Sequence, residues 1–205
     1  MARPRKSEQR DLRAAAIRAG LEILQISGRD AVTMSAVADL AECRAPALYR
    51  YFDGKDGLLE VLQQWGFEWL MSQQKEHIDE TQDLAARLSG FARAHISFAT
   101  RHPALYSLMF NGPTPRLPPL AVYAYSSPSD RCFDMLRQSF LTGNTRWSGT
   151  QAETAAFAFW VMMHGAISIA LRDPTGDASA LQLAEKTINL AVGLFAAPVA
   201  ELAAA

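Results

Sequence analysis

The chain has 205 residues, of which 49% are hydrophobic and 20% are charged. This composition is typical of a folded globular protein and excludes a chain that is mainly disordered. At about 150 residues per domain, the length predicts one large domain or a small domain joined to a medium one. Twenty Lys and Arg against 21 Asp and Glu give a formal net charge of −1. As a total, that balance suggests no nucleic-acid partner, but binding depends on how the charge is distributed.

Cysteine usage and the N-terminal residues indicate a cytoplasmic protein. Cys43 and Cys132 are far apart in sequence, so we expect neither a disulfide framework nor a cysteine-rich zinc site. Residues 1–10 are basic and polar, without the apolar region of a secretory signal. The most apolar run, residues 155–171, contains polar residues and is followed at once by charged ones. We therefore expect no membrane-spanning segment.

The first helices can be predicted from apolar spacing and stop signals. Apolar residues recur at helical intervals over residues 8–27, and Gly28 follows them, so this segment predicts one amphipathic helix. Thr33 is a good N-cap for a short second helix. Three of its residues are expected to face inward, namely Val37, Leu40 and Ala41.

A third short helix is predicted only a few residues later. Pro46 is tolerated in the first turn of a helix, and Leu48 and Phe52, four residues apart, give that helix one apolar side. The Asp53-Gly54 pair ends it. Three helices in about 50 residues, with a very tight turn between the last two, form the helix-turn-helix arrangement.

Beyond residue 55 the apolar spacing predicts more helices and no strand. Residues 111–119 hold four prolines, so they predict a loop. The further helices are expected near residues 55–73, 84–101, 104–110, 129–141, 150–171 and 178–197. The predicted fold class is therefore all-α: an N-terminal three-helix domain with a helix-turn-helix, followed by a helical bundle, with about nine helices in total.

Charge divides the chain at Lys55. Residues 1–55 carry ten Lys and Arg against seven Asp and Glu, a net charge of +3, whereas residues 56–205 have a net charge of −4. A basic arm precedes the helix-turn-helix and contains Arg3, Arg5 and Lys6. Such an arm can contact phosphates or the minor groove of DNA, and the alternative is a solvated tail. We predict a DNA-binding domain in residues 1–55 and a helical domain in residues 56–205.

A specific motif extends from Thr33 to Leu59. It has a threonine at the start of the second helix, a Val-Ala pair within that helix, and Leu-Tyr-Arg-Tyr-Phe at residues 48–52. A lysine three residues after that phenylalanine and a Leu-Leu pair complete it. With this spacing, the segment resembles the DNA-binding domain of the tetracycline-repressor (TetR) family of bacterial transcription regulators. The resemblance implies that the third helix enters the major groove of DNA and that Lys55 approaches a phosphate.

The first residues of a helix in the major groove reach base edges, while flanking donors hold phosphates. The base-reading candidates are Arg44, Ala45, Pro46 and Ala47, with Tyr49 and Arg50 one turn further on. Arg44 is the best candidate for a bidentate contact to guanine. The candidates for phosphate contacts are Thr33, Tyr49, Tyr51 and Lys55. For Tyr49, partial packing between helices is the alternative.

The turn before the third helix departs from the family's usual pattern of a glycine, an apolar residue and a small N-cap. Here the residues are Glu42, Cys43 and Arg44. Glu42 would be strained if its backbone needs a positive φ, and Arg44 removes the usual side-chain cap. Cys43 is expected to pack inward and not to act as a redox sensor. The departure leaves the fold prediction unchanged and the individual base contacts open.

The C-terminal half resembles a TetR subtype with a Trp…His-Gly signature, through residues 102–110 and 159–165. In this family the last two long helices form a four-helix bundle with the same helices of a second subunit. Both helices here are apolar on two sides, which requires a second partner besides their own core. The predicted dimer contacts are Phe157, Val161, His164, Ser168, Leu183, Leu190 and Leu194.

A ligand cavity is expected between these helices and the middle ones, mostly apolar with a few polar groups. Its predicted lining consists of Trp65, Trp69, Phe91, His95, Phe98, Met109, Phe110, Tyr123, Phe133, Phe159, Met163 and His164. For each aromatic residue, ordinary core packing is the alternative. A histidine on an apolar face, such as His95, is more often a core residue with its hydrogen bonds made than a ligand contact. His164 is also a candidate dimer contact.

The sequence carries no recognisable catalytic motif. Its four histidines lack the close pairing of a metal site, and it has no nucleophile elbow, phosphate loop or dinucleotide fingerprint. We therefore expect no enzymatic activity, no metal and no cofactor. The predicted function is a homodimeric, ligand-responsive repressor that binds a near-palindromic operator and is released by a small, largely apolar effector. The alternative is a helical small-molecule carrier or a metal-dependent helical enzyme, which would show no salt-dependent binding to DNA.

Overall fold

The computed structural model of the chain describes residues 6–78, 83–111, 127–142, 147–173 and 178–197, and the side chains of residues 6–11 and of residue 111 lie outside that description. Within the described part there is no strand, which confirms the all-α fold class. The helices are α1 (Lys6–Ser27), α2 (Met34–Leu40), α3 (Ala45–Leu48), α4 (Gly54–His77), α5 (Leu84–Arg101), α6 (Pro103–Asn111), α7 (Pro128–Leu141), α8 (Gly149–Leu171) and α9 (Ala178–Ala196). The predicted proline-rich loop lies outside the described residues, apart from the end of α6.

The start of α2 is fixed by its N-cap. Thr33 has extended backbone angles, and its Oγ1 accepts a hydrogen bond from the backbone N–H of Ala36 at 3.1 Å, which confirms the predicted cap. The buried face of α2 contains Met34, Val37 and Ala38. The prediction that Leu40 faces inward is wrong: although Leu40 lies three residues after the buried Val37, it is the last residue of this short helix and its side chain reaches solvent. Its side chain is 45% exposed.

The chain forms two compact units, and the first contains Met1–Gly66 together with His102–Arg116. In this unit α6 packs on α1 and on the first half of α4. The buried Gln63 Nε2 donates a hydrogen bond to the carbonyl oxygen of Met109 at 2.7 Å. Gly66 allows Met109 to approach closely, since a Cβ at this position would lie 2.8 Å from the Met109 Sδ. The core of this unit, whose residues 1–55 we call the head, therefore includes α6, which is distant in sequence.

The second unit contains Phe67–Arg101 and Leu117–Ala205. In its described part α8 and α9 pack along each other, and α5 contacts α7, α8 and α9. At Gly90, α5 passes directly against the end of α4. A Cβ there would clash with the carbonyl oxygen of His77 and would lie 3.1 Å from its carbonyl carbon. Only glycine permits this approach of the two backbones.

Four aromatic rings form a cluster in the second unit. Phe140 contacts Trp147, Phe159 and Phe195, with ring centroids 6.0, 6.4 and 6.0 Å away. The indole Nε1 of Trp147 donates a hydrogen bond to the carbonyl oxygen of Phe195 at 3.0 Å. Because the last carbonyls of a helix have no partner within the helix, this bond satisfies one of them near the end of α9.

Candidate nucleic-acid interface

The turn between α2 and α3 has the geometry that the sequence suggested. Glu42 has a φ of 52°, in the left-handed region. Its N–H donates to the carbonyl oxygen of Asp39 at 3.2 Å, and the N–H of Cys43 donates to that of Ala38 at 2.9 Å. Arg44 is the N-cap of α3 with an extended backbone and no side-chain capping bond, and Pro46 occupies the first turn. The expected strain and the missing cap are both present.

The structure ends α3 at Leu48, earlier than the predicted end at Asp53-Gly54, and a turn follows it. The side chains of the helix-turn-helix divide into buried and exposed ones. Leu48 and Phe52 are 0% and 3% exposed, as predicted for core residues. Several base-reading and phosphate candidates are exposed, namely Thr33, Arg44, Pro46, Tyr49 and Arg50. Others are half-buried, namely Ala45, Ala47, Tyr51 and Lys55. Tyr49 is 60% exposed, which favours a surface role over packing between helices.

Lys55 holds the start of α4 to the segment before α2. Its Nζ donates a hydrogen bond to the carbonyl oxygen of Asp30 at 3.0 Å. Asp30 lies in a short 3-10 turn, Arg29–Ala31, which the sequence did not predict. This bond gives Lys55 a structural role in the head, and its contact with a phosphate stays a prediction.

Two further sequence predictions concern Cys43 and the basic arm. Cys43 is half-buried, and burial, with a smaller contribution from the carboxylate of Asp39, raises the pKa of its thiol. A protonated thiol is a poor nucleophile, in line with a packing role for Cys43. Arg3 and Arg5 lie outside the described residues, and Lys6 begins α1 with its side chain outside the description.

A hydrogen-bonded set of buried polar side chains lies inside the second unit. Gln74 Nε2 is 2.9 Å from His95 Nε2, and Cys132 Sγ donates to Gln74 Oε1 at 3.5 Å. An amide nitrogen can only donate, so with this amide orientation His95 Nε2 accepts and its Nδ1 carries the proton. Neither Gln74 nor Cys132 was predicted as a site residue. Gln74 lies one turn after the buried Leu70, so helical spacing could have placed it inside.

Burial keeps this set uncharged near neutral pH. Desolvation lowers the pKa of His95 to about 3, and repulsion from His164 adds to the effect. Desolvation raises the pKa of Cys132 to about 12, against the opposing hydrogen bond with Gln74. His164, at the half-buried side of α8, has its pKa lowered to about 4, first by burial and then by Arg172. Its Nε2 lies 3.2 Å from Ser168 Oγ, and its ring stacks on Trp160.

The residues predicted for the effector cavity divide between the two units. Trp65, Met109 and Phe110 belong to the first unit, and Tyr123 lies outside the described residues. The others belong to the second unit, namely Trp69, Phe91, His95, Phe98, Phe133, Phe159, Met163 and His164. Trp69 packs edge-on against Phe98 at 5.3 Å, and Phe91 stacks on His95 at 4.7 Å. Their role in effector binding stays a prediction.

A groove of about 580 Å³ opens on the second unit, between α5 and α9. It is lined by both polar and apolar atoms, from His77, Ser89, Ala92, Arg93, Ile96, Ser97, Glu185 and Asn189. None of these residues was predicted for the effector site. Among the described residues, no group of three or more His, Cys, Asp or Glu side chains could hold a metal ion.

An apolar surface lies along α8 and α9. The α8–α9 surface, as we call it, consists of Val161, Ile169, Leu183, Leu190 and Leu194, which are 45–74% exposed. Ile169 was not predicted. The other predicted dimer residues, Phe157, His164 and Ser168, are half-buried. By length and composition alone α8 could cross a membrane, because its most apolar 18 residues have a mean hydropathy of 1.6. Only 33% of those residues are buried within the chain. Such a helix in a soluble protein needs a second apolar partner.

Family models match both parts of the chain. The model for bacterial regulatory proteins of the tetR family matches residues 16–62, which include the helix-turn-helix. The model for the tetracyclin repressor-like C-terminal domain matches residues 88–190, just over half of the 205 residues. The chain belongs to the TetR family. It is a DNA-binding, ligand-responsive transcription regulator and not an enzyme.

Solved structures agree in fold with this TetR-family regulator. It is similar to a protein of unknown function from Rhodococcus sp. RHA1, with a TM-score of 0.67, 18% identity, and coverage of 91% of this chain and 96% of that one. A TetR protein from Acinetobacter baumannii AYE in complex with minocycline is also similar, with a TM-score of 0.65, 17% identity, and coverage of 88% of this chain and 94% of that one. For a TetR-family transcriptional regulator from Haemophilus influenzae RD the TM-score is 0.58 and the identity 17%, with coverage of 92% of this chain and 97% of that one. No curated protein sequence matches the chain.

The buried His95 makes the stability of this TetR-family regulator depend on pH. Its pKa in the folded chain is about 3, below the value of about 6.5 in an unfolded chain. Between these values the unfolded chain binds more protons, so this contribution is complete above pH 6.5 and is lost as the pH falls. We expect the free energy of unfolding to fall by up to about 1.4 kcal/mol for each pH unit below pH 6.5. Urea unfolding of wild type and His95→Gln between pH 7 and 5 measures it, and equal pH slopes would contradict the assignment.

Proposed function

We propose that this regulator binds a near-palindromic operator as a homodimer and represses transcription. The observation that carries the proposal is the surface of α3 and the turn after it, where Arg44, Tyr49 and Arg50 are exposed while Leu48 and Phe52 hold this segment on the core. An exposed arginine at the N-terminal end of a recognition helix has the reach and geometry for a bidentate contact to guanine. Two such helices related by a two-fold axis would enter major grooves about 34 Å apart.

The dimer is proposed to form through the α8–α9 surface. Leu183, Leu190 and Leu194 form one stripe on α9, at intervals of seven and four residues. In a two-fold interface the stripe of one subunit packs against the same stripe of the other, so a single contact covers the apolar surface of both subunits. The support for this assignment is the exposure of large apolar side chains on both α8 and α9.

The effector is proposed to be a small, largely apolar molecule that binds the second unit near Gln74, His95 and Cys132. These side chains are 0%, 1% and 4% exposed and uncharged near neutral pH, which suits a neutral ligand with one or two hydrogen-bonding groups. The similar TetR protein bound to minocycline supports a site for a small molecule in this fold. An effector can release DNA only to the extent that it prefers the conformer with low DNA affinity.

The regulator is proposed to act in the bacterial cytoplasm, on DNA of the nucleoid. The contrast between the basic residues 1–55 and the acidic remainder of the chain supports this, because only the head attracts phosphates. The proposed domain division at Lys55 is therefore a division by role, whereas the compact units divide at Gly66.

Selection of DNA from a random-sequence library by the wild-type protein, followed by fluorescence anisotropy, tests the DNA-binding proposal. Arg44→Ala is expected to weaken binding by about 1–3 kcal/mol and to relax one guanine position. Lys55→Ala should weaken binding to all sequences and lower the salt slope by about 1. Arg93→Ala removes an exposed arginine from the second unit and serves as the control. Binding of both head variants at wild-type strength would rule out the assigned reading helix.

Effector control needs a separate experiment. Apolar small molecules that raise the melting temperature are added to the protein–operator complex, and the anisotropy change is followed. A true effector should bind the free protein more tightly than the complex, by the same factor by which it weakens DNA binding. If every stabilising compound left DNA affinity unchanged, the regulator would not be effector-controlled at this site.

A further inference from the structure

Glu42 has an unusual backbone for its residue type. Within the described residues it is the one non-glycine residue with a positive φ, at 52°. This region is rarely occupied by residues other than Gly, Asn, Asp and His, because the Cβ crowds the backbone. Glycine would adopt the same turn without that crowding. A glutamate at this position therefore needs a reason other than the turn itself.

The contacts of Glu42 within the protein do not supply that reason. The side chain is exposed, and its carboxylate makes no hydrogen bond or ion pair in the part of the chain that the structure describes. Only its backbone N–H is used, in the bond to Asp39 that any residue could make. Strained non-glycine residues without local compensation concentrate at functional sites.

The position of Glu42 places its charge beside the reading end of α3. Two peptide units separate it from Arg44, so their Cα atoms are at most about 7.6 Å apart. That distance is within the Debye length of about 8 Å at physiological salt. Any phosphate near Arg44 therefore experiences the negative charge of Glu42 without full screening.

Charge counting makes this single carboxylate important. Residues 33–55 contain three acids, Asp39, Glu42 and Asp53, against three bases, Arg44, Arg50 and Lys55. The reading segment is thus electrically neutral, and the positive charge of the head comes from the residues before it. One added or removed charge here takes the net charge of this segment from zero to −1 or +1.

We propose that Glu42 is a specificity-determining residue, an inference that rests on the proposed DNA-binding function. Its carboxylate repels phosphates when α3 is on a non-cognate sequence. On the cognate sequence the carboxylate accepts a hydrogen bond from a base amino group, and in the major groove these are cytosine N4 and adenine N6. Glu42 therefore lowers binding to random DNA more than binding to the operator.

Two variants of Glu42 separate its charge from its backbone strain. Glu42→Gln removes the charge and keeps the strain. It is expected to raise affinity for a scrambled duplex by up to about eight-fold at 0.1 M salt, the counterion release of one added phosphate contact, without an equal gain on the selected operator. Glu42→Gly should lose the same discrimination while raising the melting temperature, because it removes the crowded Cβ.

Asp53→Asn is the matched control, since it changes the charge of the same exposed segment by the same amount. It should raise affinity for both duplexes alike and leave their ratio unchanged. Sequences selected by Glu42→Gly should lose preference for cytosine or adenine at one position in each half-site, because glycine has no side-chain acceptor, whereas the amide oxygen of Glu42→Gln still accepts from these amino groups. A ratio for Glu42→Gln within two-fold of the wild-type ratio would overturn the proposal. If wild type itself enriched no sequence, the proposed DNA-binding function would fail instead.

Discussion

Replacing Leu190 by glutamate is expected to convert the proposed dimer into monomers. Leu190 is 63% exposed and lies at the centre of the leucine stripe on α9. A two-fold interface contains each substituted residue twice, so the variant loses two leucine contacts and buries two carboxylates. At about 2 kcal/mol for each lost leucine side chain, the dimer weakens by at least about 4 kcal/mol, or roughly 1000-fold.

Operator binding should weaken with the dimer. Two linked heads bind two half-sites with an avidity of about 10²–10⁴ over a single head, and the monomer loses that gain. Light scattering after size exclusion reports the mass, and anisotropy reports the affinity for the selected operator. A dimer mass together with wild-type affinity would exclude the α8–α9 surface as the interface.

Ile26→Glu provides a control for the change in oligomeric state. Ile26 is 76% exposed on α1, so the same kind of substitution is made on an apolar side chain of the first unit. This variant should keep the dimer mass. Ile169→Glu on α8, with 74% of its side chain exposed, should behave like the Leu190 variant.

The head could be predicted in detail because its signals are local. Thr33 caps α2, and the strain at Glu42 follows from one backbone angle, so each can be anticipated from a few neighbouring residues. The error at Leu40 arose because a seven-residue helix has too few apolar positions to define its buried face. The place of α6 in the first unit depends on contacts across more than forty residues, such as Gln63 with Met109, which no local pattern encodes.

The second unit was predicted less completely, because its buried polar groups depend on tertiary partners. Gln74 lies just beyond the helix predicted near residues 55–73, whereas its amide lies in the core with His95 and Cys132. Arg87 also looks like a surface residue in the sequence. Its burial is tolerated only because helix-end carbonyls lie opposite its guanidinium. Such partners become visible only when α5 and α7 are placed side by side.

Arg87→Met is expected to destabilise the protein by about 2–4 kcal/mol, because the buried carbonyl of Ser139 and the partly buried carbonyl of Thr142 lose their hydrogen-bond donor. Arg87 is 2% exposed, and its Nη2 donates to the carbonyl oxygens of Ser139 at 2.8 Å and Thr142 at 2.6 Å. These carbonyls end α7, where the helix itself supplies no partner. Methionine keeps most of the apolar stem, so the loss reports the hydrogen bonds and not a cavity.

Arg93→Met on the same helix is the control that gives this loss its meaning. Arg93 is exposed and makes no hydrogen bond or ion pair within the described residues, so its replacement should change the unfolding free energy by less than about 0.5 kcal/mol. Urea unfolding of both variants measures the difference. Against a total stability of about 5–15 kcal/mol, a loss of this size is a large share of the free energy of unfolding and is readily distinguished from the control. Similar values for the two variants would show that Arg87 does not hold α7 against α5.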